Sequence, residues 1–166
     1  MKEVTLCLPL TEHQPPAVLL GLKKRGFGQG KYVGFGGKIE AGETVEEATV
    51  RELEEETGLQ VAVEDLEPAG QLTFRFPARP EWDHLVNVYQ IRRWQGEPQE
   101  TEEMRPQWFA IDAIPYAAMW DDARSWLPFV LSGQAIHGVF WYNDDLVTVA
   151  AMELTVEALE ASKSTT

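Results

Sequence analysis

The stretch GGKIEAGETVEEATVRELEEETGL, Gly36 to Leu59, constrains the fold more than any other part of the chain. Two adjacent glycines lead into a helix whose limits are written in its residues. Thr44 is a good N-cap and Glu47, three residues on, completes a capping box, while Gly58 suits the left-handed turn that closes a helix. Between Glu43 and Glu56 stand seven acids, with Arg51 among them. Carboxylates three and four residues apart repel each other, so a helix this acidic needs something that offsets the repulsion.

With Glu52 at zero on a wheel turning roughly 100° per residue, Glu55 and Glu56 fall on either side of it. Val45, Ala48 and Thr49 share that broad face, whereas Glu46, Glu47 and Glu54 point elsewhere. The spacing predicts that the acids at 52, 55 and 56 converge on the side turned toward the protein body. There they cannot all stay ionised without a cation. An oxygen-only set with no nearby His or Cys selects a hard ion, Mg²⁺ with Mn²⁺ as a substitute, over Zn²⁺. Arg51, one turn before Glu55, is placed to orient that carboxylate or a loop carbonyl. A solvated acidic helix is the plain alternative, and it leaves both the shared face and the glycine-rich approach unexplained.

The rest of the chain sets the frame. Its 166 residues fit one domain, expected over 1–161, with 162–166 a frayed tail. A hydrophobic share of 44% supports a folded core. Lys and Arg number 14 against 27 Asp and Glu, a net charge of −13. Such a surface repels a nucleic-acid polymer, so a phosphate ligand needs a local cationic bridge. The single Cys7 sits in an apolar run and reads as a buried residue of a reducing compartment. No apolar stretch suits a signal peptide or a membrane span, so a cytoplasmic protein that avoids membranes is expected; a monomer is expected as well.

Strands are expected at Val4–Leu10, Ala17–Leu22, Gly70–Phe76, His84–Arg92 and Gln107–Ile111, with a turn at Thr11–Pro16. Ala123–Leu131 reads as a second helix. Val139–Tyr142 and Leu146–Val149, joined through Asn143, Asp144 and Asp145, read as a hairpin. Strands and helices mix without regular βαβ alternation, which favours an α/β fold with a mixed sheet covered by helices.

Gly37, five residues, Glu43, seven residues, then Arg51, Glu52, Leu53, Glu55, Glu56, Gly58 and Leu59 resemble the Nudix box at every fixed position. The resemblance implies a mixed sheet sandwiched between helices. It also implies Mg²⁺-dependent hydrolysis of a nucleoside diphosphate linked to another group. LLGLKKRGFGQGKYVGFGGK, EEMRPQWF and PYAAMW further resemble the mammalian MutT-homologue branch of that family. That branch comprises purine nucleoside triphosphatases acting on oxidised nucleotides such as 8-oxo-dGTP, which keep the nucleotide pool fit for DNA synthesis and repair.

The resemblance assigns Gly37, Glu52, Glu55, Glu56 and Glu103 to the metal, with Arg51 supporting them and Glu56 or Glu103 as the base. Lys23 is implied at the phosphates. Thr5, Phe27, Val33, Phe74, Met104, Trp120, Asp121 and Asp122 are implied at the base. Two positions depart from the branch. Val33 stands where it carries an Asn, and its paired Asp residues fall on Asp122 and Ala123, or on Asp121 and Asp122 after a one-residue shift. Two other readings share these residues: a general pyrophosphatase for dNTPs, dinucleoside polyphosphates or ADP-ribose, and a non-catalytic nucleotide sensor. His13, His84 and His137 are isolated and read as structural or surface residues.

Overall fold

The computed structural model describes residues 1–12 and 14–159. His13 and the tail at 162–166 lie outside the described residues. Along the chain run β1 (Lys2–Pro9), β2 (Ala17–Lys23), β3 (Tyr32–Val33), β4 (Phe35–Lys38), α1 (Val45–Thr57), β5 (Glu67–Arg75), β6 (His84–Ile91), β7 (Met104–Ala110), α2 (Ala123–Leu131), β8 (Gln134–Tyr142) and β9 (Val149–Ala158). Six strands form one sheet in the order β4-β1-β6-β5-β8-β9. The β1–β6 and β5–β8 pairs are parallel and the rest antiparallel, so the sheet is mixed as expected. A smaller sheet, β3-β2-β7, was not legible as a separate layer.

Strand alternation divides the apolar side chains between two cores. Leu8, Val18 and Leu20 join Leu72, Phe74, Phe140 and the α2 residues Trp126, Leu127 and Val130. Their neighbours Cys7 and Leu19 turn the other way, toward Phe35, Tyr89, Met104 and Leu53 of α1. The helices therefore cover opposite faces of the large sheet. Complete burial of a leucine such as Leu53 contributes roughly 2 kcal/mol.

The helix α1 has the limits read from sequence. Thr44 Oγ1 accepts from the amide of Glu47 at 3.1 Å, and Glu47 Oε1 accepts from the amide of Thr44 at 2.8 Å. Gly58 closes it at φ 81°, donating its amide to the Glu54 carbonyl. The C-terminal hairpin departs from expectation. Its strands β8 and β9 are longer than read, and Leu146 to Thr148 belong to the turn. Leu146 has φ 61°, and Asp145 accepts from the amides of Val147 and Thr148, which holds the loop open past the expected start of the strand.

Candidate active site

β4 brings the paired glycines against β1. A Cβ on Gly36 would lie 1.7 Å from the Thr5 carbonyl oxygen, so only glycine permits that approach. A Cβ on Gly37 would lie 2.7 Å from the Glu52 carboxyl carbon, which places the loop directly on that acid. Arg51 organises the neighbouring carboxylates. Its Nε and Nη2 donate to Glu43 at 2.6 and 2.9 Å, and Nη1 donates to Glu52 at 3.0 Å and Glu55 at 3.2 Å. Nη2 also donates to the Lys38 carbonyl at 3.0 Å, so one guanidinium ties the helix to the loop before it. The hydrogen bond from Arg51 holds Glu43 below the usual carboxylate range.

The three acids expected on one inward face separate. Glu56 is buried at 2% exposure, Glu52 is half-buried, and Glu55 is exposed. Glu55 is drawn outward to Arg51, which corrects the reading of a shared buried face. Burial pushes the Glu56 carboxyl up to about 8, against the opposing hydrogen bond from the Gly36 amide at 2.9 Å. Glu52 and Glu103 raise it further and Lys23 lowers it. Burial likewise raises Glu52. Glu103 is partly exposed and faces Arg25 at 3.6 Å.

Among the described residues no three His, Cys, Asp or Glu side chains already form a metal cage. The donor chemistry nonetheless fits a hard divalent ion. Two carboxylates whose burial opposes ionisation, Glu52 and Glu56, stand beside Glu55, Glu103 and the Gly37 backbone, and a cation relieves their repulsion.

Beside these acids opens a cavity of about 470 Å³. Thr5, Lys23, Phe27, Val33, Phe74, Met104, Trp120 and Asp122 all line it, as do Gly36 and Gly37. Phe74 and Met104 serve also as core residues. Trp120 stacks on Phe27 with centroids 5.0 Å apart, and Lys31 Nζ stands 5.0 Å from its ring centre. Asp121 is not brought into the cavity, which corrects its assignment to the base. Its Oδ2 accepts from the Val149 amide at 2.8 Å, and Arg124 holds its other oxygen at 3.6 Å.

Asp122 is 6% exposed and doubly held: Tyr142 Oη donates to Oδ1, and Trp126 Nε1 donates to Oδ2 at 2.7 Å. Burial raises its carboxyl while both donors oppose that rise. Phe76, Trp82, His84, Trp126 and Tyr142 also line the cavity and escaped the sequence reading. Phe76 was accessible through alternation, since it shares the strand face of Phe74. Trp126 follows Asp122 by one helical turn.

Loop, helix and cavity meet at Gly36 and Gly37, which line the cavity and contact Glu56 and Glu52. Residues 2–130 match the NUDIX domain family. The chain is 46% identical to the oxidized purine nucleoside triphosphate hydrolase of Danio rerio over 136 residues, 82% of this chain and 85% of that protein. It is 46% identical to the mouse protein of that name over 131 residues, covering 79% and 82%. A crystal structure of a MutT mutator protein from Bacillus halodurans superposes with a TM-score of 0.76 at 25% identity, covering 93% of this chain and 97% of that one. The chain belongs to the NUDIX family of hydrolases, whose members generally require a divalent metal. Among the described residues no helix is long and apolar enough to cross a membrane.

Proposed function

We propose that the chain hydrolyses oxidised purine nucleoside triphosphates, of which 8-oxo-dGTP is the type, to the monophosphate and pyrophosphate. The carrying observation is an aromatic cavity lined by the buried acid Asp122 and by Gly36, whose amide donates to the buried Glu56 beside it. Mg²⁺, with Mn²⁺ as a substitute, would be held by Glu52, Glu55, Glu56, Glu103 and the Gly37 backbone. When bound it supplies positive charge to the phosphate oxygens and acidifies water. Lys23, at the cavity and close enough to Glu56 to lower its pKa, supplies a fixed charge for the phosphates.

Arg51 holds Glu52 and Glu55 in register and pins the loop at Lys38. Burial raises the Glu56 carboxyl to about 8 without a metal, and a bound cation would lower it and free the carboxylate to accept a proton from the attacking water; Glu103 is the second candidate. Trp120 offers its face to the base and Asp122 its edge. The net charge of −13 and the lone buried Cys7 suit a cytoplasmic monomer of one domain acting on a small nucleotide.

Val33 and Ala123 both offer only apolar contact in the cavity wall. An apolar wall discriminates by roughly 1–3 kcal/mol, less than a paired polar group. That observation favours a wider range of purines than a site with Asn at position 33 accepts. A panel of nucleotides with Mg²⁺ and product identification tests the proposal. Pyrophosphate and monophosphate are expected, with 8-oxo-dGTP preferred over dGTP, a preference that Val33→Asn widens and Asp122→Ala narrows. Stoichiometric orthophosphate, a preference for dGTP, or no turnover of any purine triphosphate would overturn it.

A further inference from the structure

His84 opens β6, in register with Phe74 on β5 and Lys2 on β1. Its ring lies nearly parallel to Phe74, with centroids 5.1 Å apart and 27° between planes, and to Phe76 at 6.3 Å and 13°. Phe27 meets it edge-on at 6.0 Å. Nδ1 lies 2.7 Å from the Trp82 carbonyl oxygen. A carbonyl only accepts, so Nδ1 carries the proton and the neutral ring bears its lone pair on Nε2.

That leaves one polar atom on the ring. Nε2 has no hydrogen-bond partner among the described residues, and His84 lines the same cavity as Trp120 and Asp122. Burial, reinforced by Lys2, holds the imidazole below its ordinary pKa, against the Trp82 hydrogen bond and Asp83, and so favours the neutral ring near neutral pH. The ring that carries this acceptor therefore lines a cavity whose walls at Val33 and Ala123 are apolar.

We infer that His84 Nε2 is a specificity-determining acceptor for the N7–H of an 8-oxopurine. Oxidation at C8 turns N7 of the purine from a lone-pair acceptor into an N–H donor. Against Nε2 the oxidised base gains a hydrogen bond, while the unmodified base sets lone pair against lone pair. An enclosed site penalises the unpaired arrangement more than it rewards the paired one. This inference rests on the proposed oxidised-purine reading and names the atom that would select the lesion.

Two measurements test it. His84→Phe keeps the aromatic stack and removes the acceptor. Its ratio of kcat/KM for 8-oxo-dGTP over dGTP should fall by about 10-fold, the size of one net hydrogen bond in an enclosed site. A ratio unchanged from wild type, with 8-oxo-dGTP still turned over, overturns the role of His84 and leaves the proposed function standing. In the wild-type protein, the imidazole ¹⁵N spectrum should show the Nε2 resonance move toward its hydrogen-bonded position with 8-oxo-dGMP and not with dGMP. Bound 8-oxo-dGMP with an unmoved Nε2 also overturns it. Binding with that shift but no hydrolysis of any triphosphate sustains His84 and defeats the proposed function. Binding of neither monophosphate defeats both.

Discussion

Glu56→Gln should make the metal-free protein more stable while removing most of its turnover. The side chain is 2% exposed and its acceptor bond from the Gly36 amide can be kept by the glutamine carbonyl. Its pKa rises from 4.5 to about 8 on folding because burial penalises the ionised form. The unfolded chain therefore sheds this proton first as pH rises, and stability falls from about pH 4.5 until the folded group also ionises at about 8. At roughly 1.4 kcal/mol for each tenfold step in proton affinity, the loss reaches about 3 kcal/mol at pH 7 and about 5 kcal/mol well above pH 8. Glutamine stays neutral and escapes that loss. Urea denaturation with a chelator present, at about pH 4.5, 7 and 9, should show the variant and wild type converging at the acid end. The variant should lead by about 3 kcal/mol at neutrality, or roughly 6–12 °C in Tm. Excess Mg²⁺ should restore the wild type selectively, since an ion that binds only the native state stabilises it. Turnover should fall on the order of 10²-fold. A stability gap independent of pH, or of opposite sign above pH 7, would refute the reasoning.

Other substitutions separate the parts of the site. Gly36→Ala should fail to give soluble folded protein, because its Cβ would meet the Thr5 carbonyl backbone, whereas Gly37→Ala meets only the movable end of Glu52 and should fold with reduced turnover; circular dichroism and a pyrophosphate assay distinguish the two. Thr44→Ala should cost about 1 kcal/mol in urea denaturation through loss of the capping box. Glu54→Gln should leave pyrophosphate release unchanged, since that exposed acid lies away from the cavity and its carboxylate meets only Gln60. Tyr142→Phe should cost roughly 1–3 kcal/mol by stripping a donor from the buried Asp122, and its denaturation curve measures that directly.

How far the sequence carried depended on whether information was local. The limits of α1 were legible because Thr44, Glu47 and Gly58 each satisfy backbone groups within a few residues. The acids and Arg51 were legible because helical spacing places them, yet spacing alone overstated Glu55, whose outward turn is decided by its neighbour Arg51. The extent of β9 beyond Val149 was unreadable for a different reason. Its Ala-Ala-Met-Glu-Leu run favours a helix, and only pairing with β8 makes it a strand; Gly138, where a Cβ would lie 2.4 Å from the Glu153 carbonyl, marks how closely the two approach. Asp121 and Asp122 are adjacent and chemically alike, and the fold sends one to Val149 and the other to the cavity. His84 looked solitary in sequence because its partners Phe74, Phe76 and Trp82 meet it only through the β5–β6 pairing and the turn between them.

Three of the chain's six tryptophans, Trp82, Trp120 and Trp126, line the same cavity, and Trp120 already shares its face with Phe27. Indoles so placed make the protein its own optical probe. A purine bound at Trp120, as proposed, would displace or join an existing stack, and Trp126 would report through its bond to Asp122. Quenching of intrinsic fluorescence should therefore follow occupancy in real time, without a label, and stopped-flow traces on a Trp126→Phe background would separate arrival at the stacking face from engagement of the acid behind it.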